Sequence, residues 1–324
     1  MTSTPPSPAS ASSAGHSRFP LATLHTAAHM YYLEDATQSE IAGRLNVSRP
    51  TVSRLLSEAR RIGLVRIEIV NPRDAEVSDL AARLATKLGL AKAYVAAGDQ
   101  SANLRTGLSE QVATALADMG LNPGDALLIA SGNTLYEVAR GPLPELPGVV
   151  LVPTVGGVAE PEPWHQTNEI ARSMAERTRA TAMFLFAEAM PSAALYERLL
   201  DDPSFQRVQA LWASATGALL GIGAPPLTRA SISRSVPMSD VELRKAVGDV
   251  ALNFIDIDGQ PVEFAGSDRM VRTPMDALRT IPHTVGIAVG AEKAAGIRAA
   301  AAGGLIRSLI TDERTAVALL GAAE

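Results

Sequence analysis

The sequence predicts two domains, a small all-α domain at the N-terminus and a larger, mostly parallel α/β domain behind it. Three observations lead to this prediction. The chain has 324 residues, more than one average domain and enough for two. Apolar residues make up 47% of it, so a substantial core can be buried. The apolar residues recur at helical spacing before residue 72, whereas short apolar runs alternate with helical stretches after it.

Composition excludes several classes of protein. The chain has no cysteine, which excludes disulfides and thiolate metal sites and fits a cytoplasmic protein. Its five histidines are scattered along the chain, and no metal site is predicted. No apolar run approaches the roughly 18 residues that cross a bilayer, so no membrane partner is expected. Residues 1–18 are rich in Ser, Ala and Pro and lack the basic start and apolar stretch of a secretory signal, so we predict a disordered tail there.

Charge is distributed unevenly along the chain. The net charge of −5 argues against a protein that coats nucleic acid with its whole surface. Between Arg44 and Arg66, however, lie six arginines and a single carboxylate, Glu58. A local basic patch on an acidic body fits a DNA-binding module attached to another domain. A solvated helix face is the alternative interpretation of the same charges.

The first domain, residues 19–72, contains three helical patterns. Phe19 to Leu33 carries apolar residues at helical spacing. Thr37 to Glu40 has the form of a capping box and begins a short second helix, Gln38 to Leu45. Ser48 caps a third helix that has Pro50 in its first turn and runs to about Ile62. Leu64 to Val70 is predicted to be a short strand.

The second and third helices together form a helix-turn-helix pattern. It reads Gln-x-x-Ile-Ala-x-x-Leu-x-Val-Ser-x-x-Thr-Val-Ser-Arg-Leu from Gln38 onward. The third helix is predicted to enter the major groove, where Arg can bind guanine and hydroxyls can bind base edges or phosphates. The predicted DNA-binding residues are Ser48, Arg49, Thr51, Ser53, Arg54 and Arg60. Arg60 and Arg61, further along the helix, are predicted to hold the DNA backbone. A three-helix bundle that binds a protein through the arginine face is the alternative.

The second domain follows a linker helix at residues 73–90 and covers residues 91–324. The predicted strands are Lys92–Ala96, Ala126–Ala130, Val149–Val152, Ala182–Phe186, Thr216–Gly221, Leu252–Ile257, Val285–Val289 and Arg307–Thr311. The predicted helices between them are Leu104–Met119, Asn133–Ala139, Gln166–Arg177, Ser204–Ala213 and Ala294–Gly303. This alternation is typical of a Rossmann-like parallel sheet with helices on both faces, in which ligands bind beyond the carboxyl ends of the strands.

Several predicted strands end in small, polar or glycine-rich loops. Ser131 to Thr134 follows one strand and opens a helix, a combination that suits an anion but also an ordinary helix cap. Pro153 to Gly157 forms a second such loop, and Gly221 to Gly223 a third. No Gly-x-Gly-x-x-Gly follows a strand and no Walker loop is present, so no dinucleotide cofactor is predicted.

The chain resembles the SorC family of sugar-binding transcriptional regulators over about residues 20–322. The segments that carry the resemblance are 37–70, Trp164–Ala171, Leu220–Gly223, Ala246–Asp249, Asp256–Gly259 and Leu309–Ala316. The resemblance implies an effector domain similar in fold to sugar-phosphate isomerases and deaminases. It also implies effectors that are commonly phosphorylated sugars, and assembly as a homodimer or homotetramer on operator DNA.

The resemblance also implies an effector-binding set. Its members are Ser131, Gly132, Asn133 and Thr134 in a phosphate loop, Gly156, Gly157, His165 and Gln166 in a second loop, and Asp256 and Lys293. Lys293 is one of only four lysines in the chain, and its ammonium suits a phosphate or a hydroxyl cluster. The alternatives are a surface turn for Asp256, a helix-surface position for Lys293 and a packing or capping role for His165.

These features predict a DNA-binding regulator of carbohydrate metabolism, whose operator binding is controlled by a sugar, polyol or sugar phosphate. Two alternatives stay open at this stage. One is a sugar-phosphate isomerase or deaminase that carries an added DNA-binding module, although no carboxylate stands in a spacing typical of catalysis. The other is a constitutive DNA-binding protein whose large domain serves only for assembly.

Overall fold

The computed structural model describes residues 19–65, 72–229 and 236–321. The chain divides into two compact units, residues 1–71 and 72–324. The predicted tail, residues 1–18, lies outside the described residues, as does most of the predicted strand Leu64–Val70.

The first unit contains the three predicted helices. They are α1 (Leu21–Tyr32), α2 (Gln38–Leu45) and α3 (Arg49–Arg61). Their apolar faces meet in one core in which Leu24, Ile41 and Val52 are fully buried. Burial of this apolar stripe, on helices too short to be stable alone, provides most of the stability of the unit.

A parallel sheet forms the centre of the second unit. Its strands are β1 (Lys92–Ala96), β2 (Ala126–Ile129), β3 (Val150–Pro153), β4 (Thr181–Ala182), β5 (Gly217–Gly223), β8 (His283–Ile287) and β9 (Ser308–Asp312). They lie in the order β1-β9-β8-β5-β2-β3-β4, and every neighbouring pair along this path is parallel. The predicted mostly parallel α/β domain is therefore confirmed.

Helices cover both faces of the sheet. They are α4 (Pro72–Leu88), α5 (Leu104–Gly107), α6 (Ser109–Met119), α7 (Asn133–Ala139), α8 (Thr167–Thr178), α9 (Ala193–Leu200), α10 (Pro203–Ala213), α11 (Met275–Thr280), α12 (Ala294–Ala302) and α13 (Glu313–Gly321). One hydrophobic core joins α6, α7 and α8 to the sheet, and a second joins α4, α10, α12 and α13 to its other face. The predicted linker helix thus packs as α4 within the second unit, where Leu84 is fully buried.

The predicted strand Ala182–Phe186 is wrong in most of its length. The strand β4 ends at Ala182, and the chain leaves β3 after a last bond from Met183 N to Leu151 O at 2.8 Å. The cause lies in α8, where the side-chain amide of Asn168 donates to Leu185 O and accepts from Leu185 N at 3.0 and 2.9 Å. Because this side chain satisfies the backbone of Leu185, no further strand pairing is needed. The single predicted helix Leu104–Met119 is likewise divided into α5 and α6 at Leu108.

A small antiparallel hairpin extends the end of β5. It consists of β6 (Gly248–Val250) and β7 (Asn253–Ile255), so the predicted strand Leu252–Ile257 is shorter and its partner β6 was not predicted. Both central residues of the turn, Ala251 and Leu252, have positive φ angles of 49° and 59°. That backbone conformation normally favours Gly or Asn, so the turn gives no sequence signal of a hairpin.

Candidate functional site

The third helix of the first unit has the cap that its sequence predicts. Ser48 Oγ accepts from Thr51 N at 3.3 Å and lies 2.8 Å from the Thr51 hydroxyl. In the preceding helix, Thr37 and Glu40 form the predicted capping box of α2, and Asn46 adopts the left-handed conformation that ends that helix. These local bonds fix where α3 begins and therefore which side chains its first turns expose.

The outer face of α3 carries unpaired cationic groups. Arg49, Arg54 and Arg60 are exposed, and within the described part of the chain their guanidinium groups have no hydrogen-bond or ion-pair partner. Ser53 is exposed on the same face, whereas Thr51 is half-buried by its bond to Ser48. Arg61 differs from these arginines, because its Nε and Nη2 atoms both donate to the Glu58 carboxylate at 2.7 Å. The predicted DNA-binding residues therefore share one accessible surface, with Thr51 the least available of them.

A cavity of about 470 Å³ opens at the carboxyl ends of β2, β3, β5 and β8. This is where a parallel sheet presents its loops to a ligand. Seven of the ten predicted effector-binding residues line it, namely Ser131, Gly132, Asn133, Thr134, Gly156, His165 and Lys293. Sequence reasoning missed other polar or aromatic residues of this lining, namely Ser101, Trp164, Thr228, Arg229, Asp249 and Glu292.

The loop after β2 is attached to the loop that carries the aromatic residues. Gly132 has a φ of 119°, a conformation that requires glycine, and its N–H donates to Trp164 O at 2.8 Å. This bond brings Trp164 and His165 to the cavity beside Asn133 and Thr134. The Gly132 amide is consequently occupied by the protein itself.

The loop after β3 depends on close approach of the backbone. A Cβ atom at Gly156 would lie 2.7–2.8 Å from backbone atoms of residues 187–189, so only glycine fits. Gly157 and Gln166, which were also predicted to bind the effector, are not among the lining residues. Gly157 N donates to Ala187 O at 2.7 Å, and the Gln166 amide donates to Glu160 O at 2.7 Å. Both residues hold the loop in place.

Asp256 also lies outside the cavity lining. Its carboxylate accepts from the N–H groups of Asp258 and Gln260 at 3.0 and 2.9 Å. These bonds close the turn after β7, which is the structural alternative that the sequence left open. The carboxylates that line the cavity are instead Asp249 on β6 and Glu292.

Asp249 forms an ion pair with Arg229 inside the cavity, with 10% and 17% of the two side chains exposed. Arg229 Nε also donates to Ala224 O at 2.7 Å, and Asp249 Oδ2 accepts from Leu252 N at 3.1 Å. Gly223 leaves room for the pair, since a Cβ there would overlap both side chains. The pair joins the chain after β5 to the β6–β7 turn.

Lys293 precedes α12 and is partly buried at the edge of the cavity. Burial lowers the pKa of its ammonium, and the nearby Arg229 lowers it further, while Glu292 and Asp249 oppose the shift. Within the described part of the chain, Lys293 has no side-chain hydrogen bond or ion pair. Its donors are thus available to a ligand.

The described residues contain no group of three or more His, Cys, Asp or Glu side chains that could hold a metal ion. None of the helices in those ranges is both long and apolar enough to cross a bilayer.

Each of the two units matches a known protein family. The family model of a sugar-binding domain (Sugar-bind) matches residues 73–321, and the model of sigma-70 region 4 matches residues 29–61. The sorbitol operon regulator of Klebsiella pneumoniae is 31% identical over 310 residues, which cover 90% of this chain and 96% of that protein. The deoxyribonucleoside regulator of Bacillus subtilis is 29% identical over 302 residues, 91% of this chain and 96% of that protein.

A solved structure covers both units. The crystal structure of full-length SorC from Klebsiella pneumoniae is similar with a TM-score of 0.71 and 29% identity, over 94% of this chain and 100% of that chain.

A helix-turn-helix followed by a sugar-binding α/β domain defines a transcriptional regulator that carries an effector domain. The chain belongs to the SorC family of sugar-binding transcriptional regulators. Both relatives are named as regulators, and the match covers 96% of each of them. The alternative of an isomerase or deaminase is therefore not favoured.

Proposed function

We propose that this regulator senses a sugar, a polyol or a sugar phosphate in the cavity of its second unit, and that the bound effector controls operator binding. The observation that carries this proposal is the cavity itself, in which Asp249, Lys293, Trp164 and the Ser131–Thr134 loop converge. Carboxylate, ammonium and hydroxyl groups can bind adjacent sugar hydroxyls, and the indole ring can pack against a sugar C–H face. The names of the sorbitol operon and deoxyribonucleoside regulators are consistent with carbohydrate-derived effectors.

The proposed effector-binding residues are assigned by their position in the cavity. Lys293 donates to effector oxygens, Asp249 accepts from hydroxyls, and Asn133 and Thr134 form polar contacts from the β2 loop. Gly157, Gln166 and Asp256 act as supports of loops and turns, for the reasons given above.

The proposed DNA contacts are those of the exposed face of α3. Arg49, Ser53 and Arg54 reach base edges or phosphates in the major groove, and Arg60 holds the backbone. Ser48 and Thr51 act mainly through the helix cap that positions this face. The protein works in the cytoplasm, where operator DNA is accessible.

The proposal includes assembly of two or more copies, because a dimer of helix-turn-helix units reads two half-sites about one helical turn apart. An exposed apolar patch on the second unit supports it. Phe186 is 85% exposed, its ring lies 6.1 Å from that of Phe184, and Leu195 and Leu199 complete the groove beside it. Apolar surface of this kind usually marks a protein interface, and we assign it to a second copy of this chain.

Effector and operator must influence one another to the same extent, because their binding equilibria are linked through one protein. The purified protein is first used to select a duplex that it binds from random DNA. The test is then a pair of titrations with this duplex. Operator affinity is measured across sugars, polyols and sugar phosphates, and the affinity of an active compound is then measured with and without operator. Equal factors in the two directions support the proposal, whereas an effector that binds equally in both conditions contradicts control of DNA binding.

A further inference from the structure

We propose that the effector is an unphosphorylated polyol or sugar rather than a sugar phosphate. This inference rests on the proposed function and makes its effector class specific. It is based on the charges, the occupied donors and the aromatic surface of the cavity.

The charged groups of the cavity balance one another. Among the described residues of the lining, Arg229 and Lys293 are cationic and Asp249 and Glu292 are anionic. A phosphate monoester would add between about −1.5 and −2 charges at neutral pH. Because the described lining of this partly desolvated cavity carries no excess positive charge, that addition is unfavourable unless a cation is released from its partner.

Arg229 is not available as such a cation. It is paired with Asp249 and bonded to Ala224 O, so binding a phosphate would leave the poorly exposed Asp249 carboxylate without its counterion. Lys293 is available, but the neighbouring Glu292 carboxylate lies within electrostatic range of it and faces the same cavity. One ammonium beside a carboxylate binds a hydroxyl group more readily than a dianion.

The backbone donors of the β2 loop are also reduced in number. The Gly132 N–H, one of the backbone donors of this loop, is used by Trp164 O. Since α7 has only seven residues, its dipole adds little to the attraction of an anion. A phosphate in this loop would therefore lack both the positive charge and part of the amide cradle that such sites provide.

The same lining suits a carbon chain or ring that carries several hydroxyl groups. Each hydroxyl both donates and accepts, so it can bind an anionic and a cationic side chain at once. Asp249 and Lys293 offer one acceptor and one donor, and the Asn133 amide and Thr134 hydroxyl offer both kinds. Trp164 provides the apolar surface against which the C–H groups of a neutral carbohydrate pack.

Tryptophan fluorescence provides a direct binding assay on the full-length protein. The chain has two tryptophans, and Trp212 is buried with its N–H bonded to Pro153 O at 2.8 Å, so Trp164 reports on the cavity. Sorbitol, mannitol, ribitol, arabitol, fructose and deoxyribose are titrated beside their terminal phosphate esters and inorganic phosphate at constant ionic strength. A fluorescence change that persists in Trp164→Phe does not come from the cavity. Each titration that gives a signal is repeated by calorimetry.

The expected result is binding of a neutral compound at least about tenfold tighter than its phosphate ester, with no response to inorganic phosphate. Equal or tighter binding of a phosphate ester overturns the inference while the proposed sensing function stands. No binding by any of these compounds, together with unchanged operator affinity, contradicts the proposed function and the inference with it.

A charge-changing variant tests the physical cause separately. Glu292→Gln removes one negative charge from the cavity and should improve the binding of the phosphate ester about fivefold relative to its neutral counterpart. Glu197→Gln makes the same change on the exposed surface of α9, outside the cavity, and should leave that ratio unchanged. An unchanged ratio in Glu292→Gln overturns the electrostatic explanation.

Discussion

Arg229 and Asp249 form an ion pair that links the chain following the central strand β5 to the turn between β6 and β7. Twenty residues separate them in sequence, and both side chains are largely removed from bulk solvent. The carboxylate also accepts from Leu252 N, in a turn whose two central residues have left-handed backbones. The pair therefore holds a strained turn in place at the edge of the effector cavity.

This relationship gives a stability prediction. Asp249→Asn keeps an acceptor for Leu252 N but leaves the Arg229 guanidinium uncompensated, so the free energy of unfolding should fall by about 3 kcal/mol. Arg229→Met in the Asp249→Asn background should recover a large part of the loss, because it removes the unpaired charge. Urea unfolding of the wild type, both single variants and the double variant measures the coupling. Additive effects would show that the two side chains do not depend on one another.

Lys293 gives a pH-dependent prediction. Burial holds the pKa of its ammonium below the ordinary 10.5, so the folded state loses this proton at a lower pH than the unfolded state does. Between those two pKa values the unfolded state binds more protons, and stability therefore rises with pH as the penalty for burying the charge disappears. The unfolding free energy of the wild type should therefore increase relative to that of Lys293→Met as pH rises towards 10.5. A pH-independent difference would contradict the burial of the charged ammonium.

The same variant tests the role of Lys293 in sensing. Lys293→Met should weaken effector binding at least about tenfold, because a charged donor to the ligand is lost. Operator affinity without effector should stay unchanged, since the residue lies in the other compact unit from α3. Lys245→Met, on an exposed lysine paired with Glu242 and outside the cavity, is the matched control. A normal effector response in Lys293→Met would remove the residue from the proposed site.

The sequence predicted the parts of this site that carry local signals. The β2 loop follows an apolar strand and precedes a helix, a pattern that fitted either an anion site or a helix cap, and the family resemblance then implied that Ser131 to Thr134 bind the effector. The structure places these four residues in the cavity lining. Asp249 gave no comparable local signal, although it lies in one of the segments that carry the family resemblance. It lies on a three-residue strand whose turn lacks Gly and Asn, and its partner Arg229 stands in a different segment. The contact exists only because β6 folds back on β5, a long-range event that spacing does not reveal.

Asp256 shows the opposite case. The Asp-x-Asp-Gly sequence fitted both a sugar-binding carboxylate and a turn, and the two interpretations require the same residue types. The two backbone hydrogen bonds to its carboxylate support the turn. The strand expected up to Phe186 ends early for a related reason. The Asn168 side chain forms the two backbone hydrogen bonds of Leu185 that a neighbouring strand would otherwise form.

The exposed apolar patch gives a prediction about assembly. Phe186→Asp places a charge at the centre of the groove formed with Leu195 and Leu199, so it should dissociate any oligomer built on that face. Light scattering during gel filtration should show a smaller particle, while circular dichroism shows an unchanged fold. Leu227→Asp changes another exposed apolar side chain outside this patch and serves as the control. An oligomer that is equally stable in Phe186→Asp would place the interface elsewhere.

The recognition helix gives the last prediction, which separates base contacts from phosphate contacts. Arg54 is exposed and unpaired in the described structure, whereas Arg61 on the same helix is bound to Glu58. Arg54→Ala should weaken binding to the selected operator by about 1–3 kcal/mol if the side chain reads a base, with a smaller loss on random duplex DNA. Arg61→Ala should have less effect on both duplexes, because its charge is already compensated. Equal losses on operator and random DNA for Arg54→Ala, with a reduced salt dependence, would instead show a phosphate contact.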